Sequence, residues 1–290
     1  MRIVYHLGAH CTDDDRLVRC LLKNRGVLAE QGIMVPSPTR YRKLMRDTAV
    51  QLRGQTASEE TQALILEQIM EEPTAERLIL CWDSFLSFPT WAVRGSLYNF
   101  AGERIRAFTQ VFPEIEAEFH LAIRNPATFL PALQEKVQAK GGGDILANVN
   151  PIELLWSDTI SQIRLQNPDV PLTVWCDEET PLIWPEVLQA VSGHADGTVL
   201  VDDNEVLALV MSDIGMARMK AYCAEHPPQS VAQRRRIVTA FLEKFARIDQ
   251  VEMEIDLPGW TDEIVSDLTA RYLEDVERIH RLPGVSLIGA

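Results

Sequence analysis

The stretch MRIVYHLGAHCTDDDRLVRCLLKNRGVLAEQGI, residues 1–33, indicates the fold class of this chain. Residues 3–7 are apolar and β-rich and end at Gly8, which is typical of a central strand. From Asp13 onward apolar residues recur with helical spacing, and three aspartates stand where a helix N-terminus favours negative charge. The stretch therefore predicts a strand, a tight turn over residues 8–12, and then a helix.

The alternation of short strands and longer helices continues along the chain. Further strands are predicted at residues 77–82, 119–123 and 172–176. Helices are predicted over residues 42–53, 58–71, 91–112, 128–140, 152–166, 185–191, 231–245 and 261–279, and the pattern is helical throughout after residue 197. Short buried strands between helices are typical of a parallel sheet covered on both faces. We expect one α/β domain over residues 1–290, a three-layer sandwich around a central parallel sheet, mainly helical from about residue 200.

Composition narrows the classes of partner. The chain carries 28 lysines and arginines against 42 aspartates and glutamates, a net charge of −14. Because such a surface repels phosphate backbones and anionic lipids, we expect neither nucleic acid nor a membrane as partner. The start has no secretory-signal pattern, no apolar run approaches the roughly 20 residues of a membrane span, and the five scattered cysteines form no CxxC pair. These features predict a cytoplasmic protein with reduced thiols.

The turn after the first strand is the strongest candidate for chemistry. Gly8 permits close approach of the backbone, and successive amides up to Asp13 can form an anion-binding nest at a helix N-terminus. A tight turn with aspartate caps is an equally open interpretation, since one glycine is a weak signal. The pattern G-x-x-x-x-G-K-[ST] is absent, which argues against a nucleotide kinase or ATPase.

Residues 6–36 resemble the opening of bacterial sulfotransferases, in which a strand leads into G-x-H-K-T-G-T-T, a helix, and a G-I-x-x-P closure. Gly8, His10, Thr12 and the segment Gly32-Ile33…Pro36 match this pattern in order and spacing. The resemblance implies a P-loop NTPase-like fold of the sulfotransferase type. It also implies that the loop holds the 5′-phosphosulfate of the donor, 3′-phosphoadenosine-5′-phosphosulfate, whose leaving group a loop lysine contacts.

A second resemblance lies in FHLAIRNPATFLPAL, residues 119–133. In the family, a strand ends in an arginine that grips the donor's 3′-phosphate together with a serine about two helical turns later. Arg124 stands at the arginine's place, and Thr128 can replace the serine only by a different reach, because Pro131 and Ala132 stand near its position. Residues 152–179 and 257–279 are similar to a later helix–strand–acidic turn and to the closing helix of the family.

The loop departs from the family where charge matters most. Cys11 stands in place of the lysine, and Asp13, Asp14 and Asp15 replace G-T-T. Carboxylates beside a polyanionic donor oppose binding unless they turn away or meet a cation. Cys11 at a helix N-terminus is either a reactive thiol or an inert small residue in the lysine's place.

Three further sets of residues have two interpretations each. Asp83 follows a buried strand and either caps the next turn or contacts an acceptor. His6, His10 and Cys11 with the neighbouring aspartates combine soft and hard metal ligands, but structural histidines explain them as well, and we expect no metal. The basic residues of segment 40–53 form either a patch for an anion or a solvated face paired with carboxylates.

Two hypotheses of function follow. In the first, the protein transfers a sulfuryl group to the hydroxyl of a small molecule or carbohydrate, with 3′-phosphoadenosine-5′-phosphosulfate as co-substrate and His10, Asp83 or Asp177 as base. The predicted donor-binding residues are Gly8, Ala9, His10, Cys11, Thr12, Arg124 and Thr128. In the second, a non-catalytic relative keeps the fold to bind a ligand or a protein. The sequence predicts no oligomeric state.

Overall fold

The computed structural model describes residues 1–147, 149–251 and 259–289. Its elements are β1 (Arg2–His6), α1 (Arg16–Lys23), α2 (Arg25–Ala29), β2 (Ile33–Met34), α3 (Pro38–Leu52), α4 (Glu59–Ile69), β3 (Arg77–Cys81), β4 (Val93–Arg94), β5 (Ser96–Leu97), α5 (Ala101–Thr109), β6 (Glu116–Ile123), α6 (Pro126–Gln138), α7 (Trp156–Gln166), β7 (Leu172–Cys176), α8 (Thr180–Ser192), α9 (Glu205–Val210), α10 (Asp213–Glu225), α11 (Val231–Phe245), α12 (Ile248–Val251), α13 (Asp262–Ile279) and β8 (Val285–Ile288).

Within these ranges six strands form one sheet in the order β2-β3-β1-β6-β7-β8, and every neighbouring pair is parallel. β1 lies in the middle of this sheet, between β3 and β6. The chain leaves β1 toward β2 and β3 on one side and then crosses to β6 on the other. The α/β class with a central parallel sheet is therefore confirmed.

Both faces of the sheet are covered, because side chains alternate along each buried strand. In β1, Tyr5 faces a core shared with α3 to α7 and α13, whereas Val4 faces a second core shared with α1, α2, α8 and α9. Two cores on opposite faces are consistent with a three-layer sandwich. α10 and α11 pack around a small third cluster that includes Met211, Met216 and Val238.

Two sequence predictions are wrong in extent, and one strand was missed. The helix predicted over residues 91–112 begins only at Ala101, because Gly95 turns the chain at φ +73° into the antiparallel pair β4–β5. The two-residue strand β2 was not predicted. β8 interrupts the helical pattern predicted after residue 197, and it forms the edge of the sheet beside β7. The predicted pattern over residues 252–258, including the start of the 257–279 segment, lies outside the described residues.

The remaining helices and strands lie close to their predicted ranges. The strands predicted at 77–82 and 172–176 correspond to β3 and β7, and Pro126 begins α6 two residues before its predicted start. Pro131 stays inside that helix without ending it. Among the described helices, none combines the length and apolarity needed to cross a bilayer.

Candidate functional site

The carboxyl ends of β1 and β6 lie side by side where the strand order reverses direction. Ligands of open parallel sheets bind in the crevice at such a point. Here the crevice is bordered by the β1–α1 loop, which we define as residues 7–15, and by Asp83, Arg124 and Asp177 at the ends of β3, β6 and β7. The predicted donor-binding segments therefore meet at one edge of the sheet.

Gly8 holds the loop close to its neighbours on both sides. The Ala122 amide donates to the Gly8 carbonyl at 2.6 Å, and the Ala9 amide donates to the Ala122 carbonyl at 2.9 Å. Gly8 has φ +91°, and a Cβ on it would lie 3.0 Å from the backbone Cα of Asp83. Both the conformation and the contact require glycine at this position.

The next residues present backbone amides toward the start of α1. In the described part of the chain, the N–H groups of Cys11, Asp13, Asp14 and Asp15 donate to no acceptor. Cys11, Asp14 and Asp15 have positive φ values of 57°, 46° and 64°. Successive amides in such turns at a helix N-terminus form a concavity suited to an anion. The Thr12 hydroxyl donates to the Ala9 carbonyl at 2.8 Å and braces the turn.

The three aspartates point in three directions. The Asp13 carboxylate accepts the Leu17 amide at 3.0 Å, inside the first turn of α1. Asp15 forms a two-pronged ion pair with Arg42 of α3, at 2.5 and 3.1 Å. Asp14 lies 3.5 Å from the Lys136 ammonium. The carboxylates of Asp13 and Asp15 thus have partners in α1 and α3, and that of Asp14 lies beside Lys136 of α6.

Arg124 joins the β1–α1 loop to the start of α6. Its Nη1 donates to the Cys11 carbonyl at 2.5 Å, and its Nε donates to the Thr128 hydroxyl at 3.0 Å. The Arg124 carbonyl accepts the Trp156 indole N–H at 2.8 Å, which fixes the end of β6. The structure thus brings together Arg124, Thr128 and the β1–α1 loop, as the sequence predicted.

His10 is enclosed. Its side chain has 0% exposure, stacks on Tyr98 at 5.7 Å and shares a 2.8 Å hydrogen bond between Nδ1 and the Tyr98 hydroxyl. Its Nε2 lies 3.5 Å from the Ser84 hydroxyl and 3.9 Å from Asp83. Burial lowers the pKa of His10 to about 4, so the ring is neutral at pH 7. Its role as a base stays a prediction, and these contacts favour a structural histidine.

Asp83 faces a lysine. Its Oδ1 accepts the Ser84 hydroxyl at 3.1 Å, and its Oδ2 lies 3.4 Å from Nζ of Lys136. Burial opposes ionisation of Asp83, but its interactions with His10, Lys136 and Ser84 outweigh it and lower the pKa. Asp83 is therefore a carboxylate at neutral pH, as a candidate base must be.

Lys136 was not predicted as a site residue. It lies in the last turns of α6, with its side chain 25% exposed, and its ammonium stands between Asp14 of the loop and Asp83 of β3's end. The sequence offered one signal: Lys136 follows Ala132 by one helical turn, and Ala132 stands near the place of the family serine. That spacing places Lys136 on the side of α6 that faces the crevice.

Cys11 and Asp177 have pKa values shifted in the same direction. Burial raises the pKa of the Cys11 thiol to about 11, so it is protonated at pH 7, which favours the inert interpretation. Burial also raises the pKa of Asp177 to about 7, although Arg124 opposes this shift. A carboxyl that titrates near neutral pH is suited to proton transfer. Because its pKa is near neutral and His10 is enclosed, Asp177 is a stronger candidate base than His10.

The residues considered as metal ligands do not converge. His6 faces the opposite side of the sheet from His10 and stacks on Trp175 at 5.8 Å. In the described ranges, no group of three or more His, Cys, Asp and Glu side chains is arranged to hold a metal ion. The basic residues of segment 40–53 are largely paired: Arg42 contacts Asp15, and Arg46 contacts Asp47.

No family model matches this chain, and no curated protein or solved structure matches it either.

Proposed function

We propose that this protein is a divergent sulfotransferase-like protein that binds 3′-phosphoadenosine-5′-phosphosulfate in the crevice between β1 and β6. The observation that carries the proposal is the hydrogen bond from Arg124 to the Cys11 carbonyl, because it joins the two segments that resemble the family. The acceptor is the hydroxyl of a small molecule or carbohydrate. The fold is of the P-loop NTPase-like, sulfotransferase type.

Two features of the backbone support this proposal. The first strand is central and its following loop lies at the point where the strand order reverses, where nucleotides bind in open parallel sheets. The loop amides of residues 11 and 13–15 are turned toward no internal acceptor among the described residues, so they are available to phosphate oxygens. Arg124 supplies a charge that pairs well with a phosphate in two-pronged geometry.

The reaction follows from these positions. The acceptor oxygen attacks the sulfur, the bond from sulfur to the bridging phosphate oxygen breaks, and the electron pair remains on that oxygen of the leaving 3′-phosphoadenosine-5′-phosphate. The acceptor's proton passes to a carboxylate, and Asp177 is favoured because its pKa lies at about 7. Loop amides and cations offset the charge that builds on the leaving group.

One observation favours the second candidate function, a non-catalytic relative that binds a ligand or protein. Carboxylates accompany the cations of the crevice: Asp14 and Asp83 contact Lys136, and Asp177 lies near Arg124. A polyanionic donor must overcome their repulsion. If the donor does not overcome this repulsion, the protein keeps the fold of the crevice but does not bind the donor.

Thermal stabilisation by 3′-phosphoadenosine-5′-phosphate tests the proposal. A ligand that binds the native state raises the melting temperature with the logarithm of its concentration. We expect a saturable shift for the wild type and none for Arg124→Ala, with circular dichroism showing that the variant is folded.

Arg106→Ala is the matched control, since Arg106 lies at the opposite end of the sheet and bonds the Gln166 carbonyl. This control should be stabilised as much as the wild type. Equal stabilisation of Arg124→Ala would remove Arg124 from the site. No shift of the wild type at millimolar nucleotide would contradict donor binding and support the non-catalytic alternative.

A further inference from the structure

The β1–α1 loop has no cation of its own. Residues 7–15 include neither lysine nor arginine, and Cys11 holds the position of the family lysine with only 9% of its surface exposed. An uncharged, enclosed thiol cannot offset charge on a leaving phosphate. A cation for the 5′ end of a donor must therefore come from another element.

Lys136 reaches the loop from α6. Its Nζ lies 3.5 Å from Asp14 Oδ1 in the loop and 3.4 Å from Asp83 Oδ2 at the end of β3. The positive charge of Lys136 also opposes the rise in the pKa of the Cys11 thiol that burial causes. The ammonium thus stands beside the loop that carries Cys11.

The fold holds Lys136 in this place. α6 begins beside Arg124, where the Asn125 side chain caps it by accepting the Ala127 amide at 3.0 Å. Its inward face is buried, through Phe129, Leu130, Leu133 and Val137. Because these side chains fix the rotation of the helix, Lys136 stays on the side that faces Asp14 and Asp83.

We propose that Lys136 is the cation that contacts the 5′-phosphosulfate of the donor, in place of the lysine that the loop lacks. This inference rests on the proposed function. When the donor binds, its 5′ oxygens take the place of a carboxylate as partner of the ammonium. As the sulfur–oxygen bond breaks, the electron pair moves to the bridging phosphate oxygen, and the Lys136 ammonium offsets that charge.

The proposal divides the donor between two cations. Arg124 holds the 3′-phosphate, and Lys136 holds the 5′ group. Two nucleotides separate these roles: 3′-phosphoadenosine-5′-phosphate carries both phosphates, and adenosine 3′-monophosphate lacks the 5′ one. Dissociation constants of both are measured by calorimetry for the wild type and each variant.

Lys136→Gln should weaken binding of the bisphosphate about tenfold and leave adenosine 3′-monophosphate unchanged, since charged hydrogen bonds contribute about 1.5 kcal/mol or more. Lys140→Gln is the matched control, because Lys140 is an exposed lysine one turn later. It should bind both nucleotides as the wild type does. Lys136→Arg keeps the charge and should stay within about threefold of the wild type.

A second substitution, in the β1–α1 loop, tests whether a lysine there can replace Lys136. Adding Cys11→Lys to Lys136→Gln should restore the affinity for the bisphosphate, because it returns the cation to the family position. Equal affinity of Lys136→Gln and the wild type for the bisphosphate would overturn the assignment of Lys136 while leaving the donor site intact. A wild type that binds neither nucleotide would overturn the proposed function itself.

Discussion

The β1–α1 loop and helix α6 border the same crevice and contribute opposite charge. The loop supplies backbone amides and three carboxylates but no cation, whereas α6 supplies Lys136 and begins two residues after Arg124. In the sulfotransferase family that we propose for this chain, amides and lysine come from one loop. The net charge of the site is therefore set by every element that borders the crevice, and one motif does not determine it.

A substitution that displaces the β1–α1 loop should strongly destabilise the protein. Gly8→Ala should lower the free energy of unfolding by about 3 kcal/mol, because alanine is strained at φ +91° and its Cβ would press on the Asp83 backbone. Gly54→Ala is the control, since Gly54 has φ +81° with open space around it.

The control should lose about 1 kcal/mol, the backbone contribution alone. Urea unfolding measures both variants. Equal losses at the two glycines would show that the contact with Asp83 is unimportant.

Protonation of His10 has an effect of similar size. Its pKa is about 4 in the folded protein and about 6.5 when unfolded, so the unfolded chain binds the proton first as the pH falls. This group's stabilisation is complete above pH 6.5 and is lost toward pH 4, at about 1.4 kcal/mol per pH unit.

His10→Gln should reduce the slope of stability against pH by that amount between pH 6.5 and pH 4. Gln138→Ala, at an exposed residue that does not titrate, should leave the slope as it is. Urea unfolding at several pH values measures both, and an unchanged slope for His10→Gln would show that His10 is accessible to protons in the fold.

Much of this fold was predictable, and the failures have physical causes. The central strands could be predicted because four buried apolar residues within five positions leave few alternatives, as in β3 and β7. β8 was missed because its residues are partly exposed at the sheet edge and carry no apolar run. The helix predicted from residue 91 failed because a single turn at Gly95 outweighed the apolar spacing.

The candidate site likewise contains residues whose positions could be predicted from the sequence and residues whose positions could not. Arg124 was predictable because it directly follows a strand, and all parallel strand ends meet at one edge of the sheet. Lys136 was not, since the direction of a helical side chain depends on how the helix packs. The enclosure of His10 under Tyr98 likewise arises from a residue 88 positions away in the chain.

Removing the Asp83 carboxylate tests whether negative charge in the crevice opposes nucleotide binding. Asp83→Asn keeps the acceptor for the Ser84 hydroxyl and releases Lys136 from a counter-charge at 3.4 Å. We expect 3′-phosphoadenosine-5′-phosphate to bind about fivefold more tightly, equal to about 1 kcal/mol. Calorimetry measures the change, and weaker binding would mean that Asp83 organises the site and does not compete with the ligand.

The smallest expected effect is that of Asp14→Asn. Asp14 lies 3.5 Å from Lys136, but its side chain is 57% exposed, so water screens its charge. Nucleotide affinity should rise about twofold. Asp202→Asn removes the same charge beside Lys23, away from the crevice, and should change nothing. Equal gains in both variants would reveal a general effect of net charge.

We propose that loop amides, Arg124 and Lys136 together bind a nucleotide with phosphates at its 3′ and 5′ positions. The most direct measurement is calorimetric titration of the wild type and of the double variant Arg124→Ala/Lys136→Gln with 3′-phosphoadenosine-5′-phosphate at pH 7. We expect saturable one-to-one binding by the wild type and none by the double variant. Absence of heat from the wild type at millimolar nucleotide, or equal binding by both proteins, would contradict this proposal.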